Sequence, residues 1–399
     1  MEDRIIICKK DDALINALFR ENRCRRLSFS KKQTGLCIGD IYVGRVADMV
    51  PKMNACFVDI GAEGKIYVPM QKLSTAFHAP EHADGKIHEG DSVAVQIDRL
   101  SARNKPAAGT GELSICGNTV VILSGRKGLS FSKKINDVEF ITSAKILLKD
   151  SLSDHFGIML RTNSVYYDSE QILSECSRLT ESYISLSEKF RHSVKGTCLY
   201  RGAKEYLRLF RDEYLSDLSE IITDDGTVFR ELSELFESVH AERAPKIRLY
   251  DSEAVSLYAV YDMKRNIEEA LRRKVFLKSG GTLVFDRTEA MTVVDVNSGS
   301  ASGGKQNSQS LSAINLEAAE ELARQMELRN LSGMILADFI NTNCTEFDSL
   351  LLKSLREQTA KDRSKVTVVD ITPLGIVEIT REKSSAPIAE QINEIGFIP

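Results

Sequence analysis

Two segments of this chain carry a carboxylate where the surrounding pattern is apolar. They are Thr292-Val293-Val294-Asp295-Val296-Asn297-Ser298 and Gly333-Met334-Ile335-Leu336-Ala337-Asp338-Phe339-Ile340. Both read as strands. A buried carboxylate without a partner is very costly, so Asp295 and Asp338 are expected to be hydrogen-bonded, paired or metal-bound. Side chains at i and i+2 of a strand point the same way, which puts Asp295 and Asn297 on one face. If the two strands are neighbours, Asp295, Asn297 and Asp338 converge into an oxygen-rich site suited to a hard cation such as magnesium. Magnesium there would neutralise a phosphodiester and lower the pKa of a bound water. The structural alternative is a pair of strand-end carboxylates that accept backbone N–H bonds.

The elements that must hold these residues form an α/β pattern from Gly280 to Arg381. Strands at 282–286, 290–297, 333–340, 365–371 and 376–381 alternate with helices near 312–331 and 346–361. The Gly-, Ser- and Asn-rich stretch from Ser298 to Ser308 follows the first carboxylate strand and is expected to be a mobile loop over the site. Upstream, residues 36–116 read as short glycine-broken strands, the texture of a small barrel. Residues 1–35 read as a strand from Arg4 to Cys8, a short helix around Leu14 and a second, basic strand. Residues 119–200 mix strands and helices, with a strand at Ile158–Arg161 and a helix from Glu170 to Phe190. Residues 203–240 read as helical, and 246–277 as a strand followed by a helix.

Further residues could do chemistry. Phe57 and Tyr67 fall near strand ends of the barrel, where an aromatic is either core or a stacking surface for bases. Arg45, Lys65, Arg103 and Lys105 could hold phosphates beside them. Arg161-Thr162 ends a strand; an arginine fork and a hydroxyl can grip a phosphate monoester, although a solvated arginine is the common case. His78, His82 and His88 share a polar loop without a supporting carboxylate or cysteine pattern, so no zinc site is expected there.

Bulk properties narrow the classes. A formal charge of -4 means that any nucleic-acid partner must be met by local patches. The eight cysteines include no C-x-x-C pair, which argues for buried reduced thiols rather than a disulfide framework. No signal-peptide core and no apolar run of membrane-spanning length is present. The expectation is a cytoplasmic protein of two to four folding units.

Several strings together resemble the ribonuclease E/G family. They are Gly39-Asp40-Ile41-Tyr42-Val43-Gly44-Arg45 with Ala55-Cys56-Phe57-Val58-Asp59-Ile60-Gly61, then Leu160-Arg161-Thr162 and Phe210-Arg211-Asp212-Glu213-Tyr214. Asp295-Val296-Asn297-Ser298, Asn315-Leu316-Glu317-Ala318-Ala319, Asp338-Phe339-Ile340 and Gly375-Ile376-Val377-Glu378-Ile379-Thr380-Arg381 complete the set. The resemblance implies an α+β and α/β multidomain fold. An RNase H-like subdomain is split between residues 1–35 and 202–278. An S1-type OB-fold barrel at 36–118 and a 5′-sensor at 119–201 are inserted in it. A DNase I-like catalytic subdomain at 279–385 and a tail at 386–399 follow.

The resemblance also implies the function: a magnesium-dependent endoribonuclease that cuts single-stranded RNA, as in rRNA processing or mRNA decay. Manganese would be a substitute cofactor. The products would carry a 5′-phosphate and a 3′-hydroxyl, and a 5′-monophosphate would stimulate cleavage. Asp295 and Asp338 would ligate the metal, with Asn297 supporting them. Phe57, Tyr67 and Lys105 would contact RNA, and Arg161 and Thr162 would recognise the 5′-monophosphate. Asn341 stands where the family often has a further Asp. The C-P-x-C pair through which family members share zinc is absent from residues 1–399, so zinc is not expected and a homodimer would have to form without it. Two other readings are a non-catalytic RNA-binding or ribosome-associated protein of the same fold, and a DNA nuclease.

Overall fold

The computed structural model describes residues 3–31, 36–73, 77–79, 82, 84–101, 106–204, 206–207, 218–236, 245–299, 308–342, 345–360, 362–383 and 385–398. The chain divides into two compact units. One comprises Met1–Lys32, Ser216–Leu235 and Pro245–Pro399; the other comprises Gln33–Leu215 and Phe236–Ala244. The whole is a mixed α/β protein with several sheets and one closed five-strand barrel.

In the first unit, a five-stranded sheet has the order Lys246–Leu249, Leu218–Thr223, Asp3–Lys10, Ala13–Arg20, Arg23–Lys31. The last three strands are antiparallel neighbours, and the first two join Asp3–Lys10 in parallel. Ala13–Arg20 is therefore a strand and not the helix expected around Leu14. Its near-continuous apolar run fits a helix locally, but it is the middle strand of a meander, buried on both faces. The turns enforce this pairing: Asp11 is left-handed at φ 53°, and Glu21 and Asn22 at φ 52° and 59° suit a tight hairpin. Leu218–Thr223 is likewise a strand inside a region read as helical, with Ile221, Ile222 and Thr223 buried. The segment 386–399 contains a helix, Ile388–Ile395. It seats Ile388, Ile392 and the following Phe397 in the core beneath Phe29.

The second sheet of this unit has six strands in the order Lys274–Phe276, Thr282–Arg287, Met291–Asn297, Gly333–Asp338, Ile376–Arg381, Val366–Ile371. Only Met291–Asn297 and Gly333–Asp338 run parallel, joined through the helix Ser308–Leu328. One face buries Leu283, Val294, Ile335, Ala337 and Val377 against Ala318, Leu322 and Met326 of that helix and Leu351 and Leu355 of Thr345–Thr359. Arg381 closes the last strand with a fork to Asp362 at 2.8 and 3.0 Å; the two side chains are 3% and 5% exposed.

In the second unit the barrel runs Ile41–Val50, Ala55–Asp59, Lys65–Pro69, Ala108–Thr110, Ser92–Arg99. The last strand pairs back to the first, Ile41 opposite Gln96. Cys56, Val58, Ile66, Val68, Val93 and Val95 fill it. This closure is consistent with an OB fold. A four-stranded sheet follows, ordered Ser114–Cys116, Val120–Ser124, Phe156–Leu160, Gly128–Phe131. The helix Ser169–His192 covers it with Ile172, Cys176, Leu179, Tyr183, Leu186 and Phe190, the stripe of an amphipathic helix.

None of the described cysteines forms a disulfide. Burial pushes the Cys24 thiol up to about 12 and that of Cys56 to about 11, which keeps both protonated and unreactive. No helix among the described residues is long and apolar enough to cross a membrane.

Candidate active site

The two carboxylate strands are parallel neighbours, and the register sets Asp295 directly beside Asp338. Adjacent strands lie about 4.8 Å apart, so the two carboxylates share one small patch of the sheet. Alternation along Met291–Asn297 sends Thr292, Val294 and Val296 to the core and leaves Val293, Asp295 and Asn297 exposed. Asp338 is exposed as well. The burial argument made from sequence is thereby corrected, because both carboxylates face solvent and need no partner to exist. Their functional case rests on being side by side at the carboxyl ends of two parallel strands, where open α/β sheets place their ligands. Asn297 Nδ2 donates to Asp295 Oδ2 at 2.7 Å, which tethers that carboxylate along its own strand. Two exposed carboxylates with only oxygen donors fit a hard cation that keeps most of its own water.

The helix Ser308–Leu328 holds both strand ends. Asn315 Nδ2 donates to the Ile340 carbonyl at 2.7 Å, and its Oδ1 accepts from Ile340 N–H at 3.1 Å, just beyond Asp338. Glu317 accepts from the backbone N–H groups of Lys278 at 2.7 Å and Ser279 at 3.1 Å. That turn leads into Gly280, whose carbonyl would lie 2.1 Å from a Cβ on Gly299. Gly299 is also left-handed at φ +66°, so only glycine lets the chain leave Asn297 and pass this turn. The rest of the expected loop, residues 300–307, lies outside the described residues.

In the barrel, Phe57 and Tyr67 sit opposite each other on paired strands. Their rings meet edge to face, with centroids 6.1 Å apart. Both are half-buried, while their neighbours Cys56, Val58, Ile66 and Val68 take the interior. The pair is therefore outside the barrel core and partly open to solvent. Lys65 pairs with Asp48 at 2.7 Å, and Arg45 donates through Nε to the Gly90 carbonyl at 2.8 Å. Arg103 and Lys105 lie outside the described residues, as does Phe210–Tyr214.

Arg161 and Thr162 follow the strand Phe156–Leu160. Arg161 donates through its backbone N–H to the Thr119 carbonyl at 2.8 Å and through Nη1 to the Gly117 carbonyl at 3.4 Å. Thr162 Oγ1 lies 2.9 Å from Ser132 Oγ. The turn at 117–119 is built by Glu175, which accepts from the N–H groups of Asn118, Thr119 and Val120 at 2.9, 2.7 and 3.2 Å and from Thr119 Oγ1 at 2.6 Å. A Cβ on Gly117 would stand 2.5 Å from the Glu175 carboxylate, so a side chain there would push that carboxylate off its donors. The result is a cluster of hydroxyls and one guanidinium at the sheet end, an arrangement able to meet a phosphate.

Residues 114–384 match the model of the Ribonuclease E/G family, more than half of the chain. The chain belongs to the ribonuclease E/G family. Ribonuclease E of Escherichia coli (strain K12) is 28% identical over 365 residues, which cover 89% of this chain and 34% of that protein. Ribonuclease E of Buchnera aphidicola subsp. Schizaphis graminum is 26% identical over 408 residues, 99% of this chain and 42% of that protein. Ribonuclease G of Salmonella typhimurium (strain SL1344) is 28% identical over 357 residues, 87% of this chain and 73% of that protein. The chain thus spans less than half the length of the ribonuclease E relatives. The sequence gives Asn315 and Glu317 no role; the available signal is that Asn315 shares a helix face with Ala318, Ala319, Leu322 and Met326, where a polar residue needs a partner. Ser132 and Glu175 gave no sequence signal, because their partners lie 30 to 57 positions away.

Proposed function

We propose that this chain is a magnesium-dependent endoribonuclease acting on single-stranded RNA. The observation that carries this reading is the direct adjacency of Asp295 and Asp338 on parallel strands of a chain in the ribonuclease E/G family. Asp295 and Asp338 would hold the magnesium ion, with manganese as a substitute. When bound, that ion would activate a water and neutralise charge on the scissile phosphodiester, giving a 5′-phosphate and a 3′-hydroxyl. Asn297 holds the Asp295 carboxylate in place through its amide. Asn315 anchors the chain just beyond Asp338, and Glu317 holds the turn at 278–279 that Gly280 continues beside Gly299. Phe57 and Tyr67 offer the surface on which unpaired bases stack, with Lys105 contributing charge to the backbone. Arg161 and Thr162, with Ser132 beside them, receive a 5′-monophosphate and so favour RNA that carries one. The five-stranded sheet, a meander extended by two parallel strands, would be the RNase H-like part, and the six-stranded sheet the DNase I-like part.

The test is cleavage of one fluorescent oligoribonucleotide, made with either a 5′-monophosphate or a 5′-hydroxyl, in magnesium. Asp295→Asn is expected to abolish cleavage of both forms, and Arg161→Ala to slow only the phosphorylated one. Full activity of Asp295→Asn would sink the assignment, and equal loss on both substrates would make Arg161 merely structural.

A further inference from the structure

The polar loop that enters the strand Ser92–Arg99 carries histidines for which the sequence showed no supporting carboxylate. The fold supplies one. Asp91 is 3% exposed, and its two oxygens lie 2.9 and 3.0 Å from His82 Nε2. His88 donates its backbone N–H to Asp91 Oδ2 at 2.8 Å, and its ring packs edge-on against the His82 ring with centroids 4.3 Å apart. One donor atom from each of His82, His88 and Asp91 lies within 4.8 Å of the others. Asp84 Oδ2 stands 3.3 Å from His88 Nε2, a second carboxylate at the rim.

We propose that His82, His88 and Asp91 form a binding site for one divalent transition-metal ion of the zinc class, with Asp84 as its outer carboxylate. Four features of the cluster carry this. The donors are two imidazoles and a carboxylate, which select zinc, cobalt or nickel over magnesium. Ligands held about 2.1 Å from zinc sit about 3.4 Å apart in a tetrahedron, so closure from 4.8 Å needs only side-chain adjustment. A divalent ion balances the charges of Asp84 and Asp91, and it gives the packed imidazoles of two adjoining His–Asp pairs one common partner. Finally, the scaffold is already built. Gly90 N–H donates to the Val46 carbonyl at 2.8 Å, Val46 N–H donates to the Asp91 carbonyl at 2.9 Å, and Glu89 accepts from Met49 N–H at 2.7 Å. The ion would draw residues 82–91 together just ahead of the strand Ser92–Arg99. The site is separate in chemistry from the Asp295–Asp338 pair and does not depend on the proposed cleavage.

The experiment is a titration of the full chain, stripped with chelator, with cobalt(II) alone, followed by visible absorption. One cobalt per chain with the intense bands of a tetrahedral N/O site is expected. Zinc should displace it, and a large excess of magnesium should not. His82→Ala and His88→Ala should each weaken binding at least tenfold, and Asp84→Asn by about 10- to 100-fold, the usual effect of losing an outer partner. Asp295→Asn should leave the titration unchanged. Zinc should also raise the Tm of the wild type and not that of the histidine variants. Should His82→Ala fail to fold, His88→Gln decides, since that side chain is 48% exposed. Absence of cobalt binding, wild-type affinity in the histidine variants, or a thiolate-to-cobalt charge-transfer band would overturn the proposal.

Discussion

Glu317 couples a helix to the chain segment that frames the carboxylates, and its removal gives a graded test of that coupling. Its two oxygens accept from adjacent backbone N–H groups, Lys278 at 2.7 Å and Ser279 at 3.1 Å. A hydrogen bond to a charged group contributes about 1.5–3 kcal/mol, and a half-buried site belongs at the low end of that range. Two bonds from one carboxylate to neighbouring donors are coupled and do not add fully, so Glu317→Ala should cost about 2–3 kcal/mol. Glu317→Gln keeps one acceptor of the same shape and should lose about half as much. Urea unfolding in magnesium-free buffer reads the stability loss through the midpoint at unchanged m. The same variants should cleave RNA more slowly, because the turn at 277–281 bears on Gly299, two residues past Asn297. A Glu317→Ala protein within about 0.5 kcal/mol of the wild type, the range of an ordinary surface change, with an unaltered cleavage rate would refute the reasoning.

Two further outcomes are expected. Asp362→Ala leaves the Arg381 guanidinium buried with Asn330 and the Leu331 carbonyl as its remaining partners among the described residues, and should cost about 3–5 kcal/mol by urea unfolding. Tyr67→Ala removes half of the exposed aromatic pair and should weaken binding of a single-stranded RNA, read by fluorescence anisotropy, by about 1–3 kcal/mol without lowering Tm appreciably.

Much of the six-stranded sheet was legible in sequence because its strands are short, separated by helices and rich in β-branched residues. The pairing of Asp295 with Asp338 could only be stated conditionally, since register is a long-range property. The error about burial has a simple cause: Val293-Val294-Asp295-Val296 looks uniformly apolar, and alternation shows only when one face is known to be covered. Ala13–Arg20 was misread for the opposite reason, since a strand buried on both faces loses its period of two and looks like a helix. Leu218–Thr223 is short and flanked by helix formers, so pairing with Asp3–Lys10 overrides local preference. The cluster at His82, His88 and Asp91 was hidden because sequence does not show which side chains of a polar loop converge, and only the fold sets Asp91 against His82.

The central claim is that Asp295 and Asp338 together hold the metal that cuts RNA. The most direct measurement replaces one oxygen ligand by a softer one, Asp338→Cys, and follows cleavage of a single-stranded oligoribonucleotide in magnesium and then in manganese. Thiolate disfavours magnesium and accepts manganese better. The account predicts a folded variant that is silent in magnesium and regains activity in manganese, while Asp295→Asn stays silent in magnesium. Wild-type cleavage by Asp338→Cys in magnesium would contradict it.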